Sequence, residues 1–152
     1  MGNKRLSKYA EDKERLFMEE VSFSEIIDEN RVLTISAKKM TKINSVIKGE
    51  NILLQLKKEN DETIIYVHGG EGNCDFNEAK VVFSNGVLGR FGKLEWVSNN
   101  LLWNIRTNEV RADGKIKFRV KGWSGSSNEM VIYLNKGLVM FLEGVEISSN
   151  GD

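Results

Sequence analysis

The densest collection of reactive side chains lies between Tyr66 and Phe76, in the stretch YVHGGEGNCDF. It holds the only histidine, His68, and the only cysteine, Cys74, with Glu71 and Asp75 beside them. Imidazole, thiolate and carboxylate are zinc-ligand types, but structural zinc sites want paired Cys and His at short spacings. A Cys74–His68 nucleophile pair needs a third group to orient the base and donors for an oxyanion, and neither is visible. A strand, not a helix, follows these glycines, which argues against a phosphate loop. No catalytic residue, metal or cofactor is therefore expected. The segment His68 to Ala79 reads as the longest irregular loop of its region.

A second chemistry-bearing stretch is KIKFRVK. Lys115, Lys117, Arg119 and Lys121 alternate with Ile116, Phe118 and Val120. As a strand, this segment has one cationic and one apolar face, with same-face residues about 6.6 to 6.8 Å apart. Four cations at that pitch could track a polyanion. Lysines on an outward edge equally guard a sheet against edge-to-edge aggregation. No aromatic residue interleaves with them on the cationic face, so base stacking gains no support.

Three tryptophans complete the candidates. Trp96 and Trp103 flank Asn99-Asn100, and a two-residue hairpin there would set Trp96 opposite Trp103 and Leu94 opposite Ile105. Sharing that face with Leu94 and Ile105 points both indoles into the core, the alternative being an aromatic platform for a sugar ring or a base. Trp123 differs. It sits in KGWSGSSNE with little apolar company, either as a plug at the end of the fold or as an exposed anchor of the kind favoured at interfaces. The candidate contact residues are thus Trp123, Lys115, Lys117, Arg119 and Lys121.

The elements that carry these residues follow from periodicity. Residues 4 to 21 read as an amphipathic helix, with Leu6, Tyr9, Ala10, Leu16, Phe17 and Val21 near one stripe. A further helical turn at SEIIDEN starts from Ser24 as its cap. From Arg31 the period becomes two. RVLTISAKK is a strand, and NILLQLKK with ETIIYVHG makes a hairpin that sets Leu56 against Ile65 and Leu54 against Val67. Further hairpins are expected at Asn85-Gly86, Asn99-Asn100, Ala112-Asp113-Gly114 and Asn135-Lys136-Gly137. Some nine or ten short strands result. The expected architecture is an antiparallel β-sandwich or barrel, with residues 1–30 as a helical segment packed on an all-β domain of residues 31–152.

Composition narrows the function. The 22 basic and 22 acidic residues cancel, which gives nucleic-acid binding no help. The charge is nevertheless blocked along the chain. Residues 36–58 carry net +5, residues 59–87 net −5 and residues 88–125 net +5. A single cysteine fits a reducing compartment, no signal peptide is recognised at the start, and no stretch approaches the roughly 18 apolar residues of a membrane span. A cytoplasmic or virion-associated protein is expected. The absence of proline and the abundance of Lys, Asn and Ile fit an AT-rich bacterial or phage genome. The expected function is a non-enzymatic binding or interaction module for a protein or glycan. The alternative is a nucleic-acid-binding module using residues 115–121, and an enzyme ranks third. Self-association would run through the N-terminal helix or a sheet edge.

Overall fold

The computed structural model describes residues 16–28 and 30–149, with side chains from residue 30 onward. They form one antiparallel sheet of 11 strands. In chain order these are β1 (Leu16–Asp28), β2 (Arg31–Ile43), β3 (Val46–Lys58), β4 (Thr63–Asp75), β5 (Lys80–Phe91), β6 (Leu94–Ser98), β7 (Asn100–Asn104), β8 (Glu109–Val120), β9 (Trp123–Tyr133), β10 (Leu138–Leu142) and β11 (Glu146–Ser149). Each lane pairs with the next, so the sheet is a meander. β6 and β7 share one lane between β5 and β8, and β10 and β11 share the last lane, beside β9.

The meander curls so that one face becomes the interior. A single cluster of buried apolar residues draws on β2 to β9, from Leu33 and Ile35 to Met130 and Ile132. Arg31, at the start of β2, donates from Nη1 to Asn108 Oδ1 at 2.8 Å. That bond brings the β2 end of the meander to the turn between β7 and β8. Alternation along the strands supplies the two faces. Leu54, Leu56, Ile65 and Val67 are at most 1% exposed, and their cross-strand register is the one their period-two pattern dictates.

Several sequence expectations need correction. Of the helix over residues 4–21, residues 4–15 lie outside the described residues, whereas Leu16–Val21 is strand and pairs with β2. The helical turn at SEIIDEN is also strand as far as Asp28. Tertiary pairing has overridden a helical periodicity there. The supposed loop from His68 is strand β4 up to Asp75, followed by a short turn. Its glycines suit a strand because a neighbouring ring occupies the space their side chains would need: a Cβ at Gly72 would stand 2.5 Å from Phe83 Cε1.

Three of the four further hairpins are not hairpins, while the turn at Asn135-Lys136-Gly137 does join β9 to β10. Asn85 (φ 63°) and Gly86 (φ 89°) lie inside the continuous β5, and Gly114 (φ 84°) and Lys115 (φ 49°) inside the continuous β8. Asn99 separates β6 from β7, its N–H bonded to Gly114 O at 2.9 Å. The same level is marked by Asn51 (φ 50°) in β3 and by Glu143 and Gly144 (φ 62° and 68°) between β10 and β11. The ladders shift register there, between Gly69 and Glu71 and between Asp113 and Ile116. These bulges line up into a crease across the sheet, and bulges bend strands and sharpen their twist.

Candidate functional site

The cross-strand rows show which face each candidate residue occupies, because directly paired residues share a face. One row runs Leu33, Leu56, Ile65, Phe91, Leu94, Val120 and Trp123. The next runs Ile35, Leu54, Val67, Gly89, Trp96, Phe118, Gly125 and Ile147. Both begin in the buried core, and both end in the open. Leu56, Ile65 and Leu94 are at most 4% exposed, yet Trp123 is 51% and Ile147 53% exposed. Phe118 stacks on Phe141 at 3.8 Å between ring centroids, at the border between the covered and uncovered parts. Trp123 and Ile147 thus belong to the core face at the end and edge where the opposing wall no longer covers it.

Two tight turns sit side by side at this end. Gly92 and Lys93 join Phe91 to Leu94, and Lys121 and Gly122 join Val120 to Trp123, while Leu94 pairs with Val120. Lys121 is therefore not part of a strand face. It occupies a left-handed turn position (φ 52°) next to the apolar ledge.

Trp96 and Trp103 are core, at 2% and 1% exposure. They do not face each other. Trp96 pairs with Gly89 and Phe118, and Trp103 with Val81 and Val110, because β6 and β7 lie end to end and not side by side. The indole of Trp96 lies across Gly89, where any Cβ would collide with it. Neither indole N–H has a hydrogen-bond partner among the described residues.

Lys117 and Arg119 stand on the outer face. β8 is paired on both sides, to β6/β7 and to β9, so these cations guard no edge. Arg119 Nη2 donates to Glu95 Oε1 at 3.1 Å, and Arg90 Nη2 lies 3.3 Å from Glu95 Oε2. The Arg119 hydrogen bond, joined by the charge of Arg90, holds the Glu95 carboxyl below its ordinary range. Lys115 sits in the crease, beside a shallow groove of about 290 Å³ that it shares with His68, Leu88 and Val97. The two basic blocks of the sequence do not merge along the sheet, because β4 and the start of β5 lie between them.

The reactive quartet is dispersed. Cys74 lies on the core row Ile47, Cys74, Val81 and Trp103, fully buried, and burial pushes its thiol up to about 12. His68 pairs with Leu88 and lines the outer groove, and Asp75 accepts the N–H groups of Asn77 and Glu78 in the turn after β4.

The sequence matches no protein-family model and no curated protein. The fold does have a solved counterpart, an LptA-like β-jellyroll. The chain resembles LptH, the LptA-homologous periplasmic component of the conserved lipopolysaccharide transport device from Pseudomonas aeruginosa, with a TM-score of 0.56. The likeness covers 90% of this chain and 95% of that one at 8% sequence identity. The all-β antiparallel expectation thus stands. The cytoplasmic or virion-associated placement is overturned, because the structural counterpart is a periplasmic component.

Proposed function

We propose that this chain is a non-enzymatic binding module that takes the apolar part of a glycolipid, or of an amphipathic partner, on the uncovered end of its core face, in a periplasmic setting. One observation carries the reading: Trp123 and Ile147 stand on core-face rows and yet are about half exposed. An aromatic side chain of this kind buries about 150 to 250 Å² when covered. At about 25 cal/mol per Å², covering its exposed half contributes roughly 2 to 3 kcal/mol before the costs of association. Lys93 and Lys121, in the two adjoining turns, put cations where a polar headgroup would lie. The fold shared with a lipopolysaccharide-transport component supports a glycolipid over a bare glycan.

The three tryptophans make the test direct. Titration with lipopolysaccharide should shift Trp123 emission to the blue, while buried Trp96 and Trp103 act as spectators. Trp123→Ser should abolish the shift and weaken binding. Binding unchanged in that variant, or no binding by the parent protein, overturns the reading.

A further inference from the structure

The outer face of β5 to β8 repeats one arrangement on either side of the crease. On one side Leu88 pairs with Val97 and Val97 with Lys117. On the other side Val82 pairs with Leu102 and Leu102 with Arg111. The four aliphatic side chains are 40 to 46% exposed, although each lies mid-sheet and not in a turn. Val82 and Leu88 are six residues apart on β5 with the Asn85-Gly86 bulge between them, roughly 15 Å along the strand. A shallow groove of about 410 Å³ runs beside Leu88 and Val97, bordered by Arg90, Lys117 and Arg119 with Glu95 among them.

The charges on this face are unequal. Glu95 holds Arg90 and Arg119, and Arg111 lies 2.6 Å from Glu109 and 3.6 Å from Glu129, so among the described residues Lys117 is the cation of this face left for a partner. Lys117 makes no ion pair among the described residues, and its neighbours in the ladder are Val97 and Ser126. With β8 interior to the sheet, its cations cannot be accounted for as edge protection.

We propose that this face is a docking surface for an anionic lipid bilayer. Two aliphatic pairs roughly 15 Å apart on either side of the bulge suit an extended surface rather than one small ligand. Protein interfaces favour aromatic anchors and are depleted in lysine. This face offers leucine, valine and lysine, and the two tyrosines that flank it are engaged by cations: Tyr66 lies beneath Arg90 at 5.9 Å and Tyr133 beneath Lys136 at 5.8 Å. Aliphatic tips that enter the headgroup boundary, flanked by cations that meet lipid phosphates, are the pattern of surface association rather than spanning. The inference is independent of the ligand ledge at Trp123, which stands on the other face of the sheet.

The test is co-sedimentation of the full chain with vesicles of phosphatidylcholine alone and of phosphatidylcholine with phosphatidylglycerol. Binding is expected only to the second, and salt should weaken it as the Debye length shortens. Lys117→Gln should lower partitioning about fivefold, the equivalent of about 1 kcal/mol per cation near an anionic surface. Val97→Ser should lower it as well, while Lys38→Gln, at an exposed lysine of β2 outside this face, should not. All three positions are exposed, and unchanged thermal unfolding would confirm intact variants. Equal binding to both vesicle types, no binding to either, or wild-type binding by Lys117→Gln and Val97→Ser would overturn the proposal. Binding to soluble poly-glutamate without vesicle binding would overturn it in favour of an acidic protein partner.

Discussion

Trp103 and Trp123 stand on the same face of the same sheet, two lanes apart, and differ fiftyfold in exposure, at 1% against 51%. Residue type and strand face are identical. What differs is the opposite wall. At Trp103 the curl of the meander closes over Ile47, Cys74 and Val110, and at Trp123 the core face continues past its cover. The same indole is therefore structural in one place and available to a ligand in the other. Facing the core does not amount to being in the core when a sheet ends in an open edge.

This contrast can be broken by experiment. Trp103→Ala should show the largest effect, a loss of about 3 to 5 kcal/mol of stability in denaturant unfolding. A midpoint that hardly moves would remove the structural half of the comparison. Gly89→Val should come next, at about 1 to 3 kcal/mol, because the new side chain would force the Trp96 ring from its seat. A variant as stable as the parent would mean that the ring does not pack there. Trp123→Ala should change stability by no more than about 0.5 kcal/mol, since an exposed side chain gives up little on truncation. A loss approaching that of Trp103→Ala would place Trp123 under a cover and end its role as a ledge. The smallest expected effect is at Cys74. Burial with a pKa near 12 leaves almost no thiolate at neutral pH, so a thiol reagent should label it only after unfolding. Rapid labelling of the folded protein would show that the closed half of the roll opens.

Much of the fold was legible in the sequence because period two, once started, runs through most strands. The pairs Leu56–Ile65 and Leu54–Val67 followed from a turn of fixed length and two apolar stripes. The crease was misread for a physical reason. A type I′ hairpin needs two consecutive residues at positive φ, the bulge in β5 uses two as well, and Asn85-Gly86 suits either. One signal could have separated them. A hairpin at Asn85-Gly86 would have set Val81 against Arg90, an apolar residue against a cation, whereas the continuous strand sets Arg90 against Glu95. Asn99-Asn100 offered no such warning, since Trp96 and Trp103 face the core in either arrangement. The candidate site was half legible. Trp123 stood out by type and setting, but its place on the core face depends on its pairing with Val120 and so on the order of the lanes. Ile147 was missed, since an isoleucine in a final strand looks like any other until its partner, Gly125, is known. The exposed pairs Leu88–Val97 and Val82–Leu102 were missed because they join different strands.

The crease also indexes the sheet. A strand displaced by two residues keeps its apolar side inward, so alternation alone cannot forbid sliding. Here Asn51, Asn85-Gly86 and Gly114-Lys115 are the places where the backbone turns left-handed, and they stand level across every second lane, β3, β5 and β8. Sliding any one lane would bring a bulge against regular ladder and break hydrogen bonds on both of its sides. The device works like the notch of a key: it adds little to the bite of the lock, yet it leaves only one depth at which the key will turn.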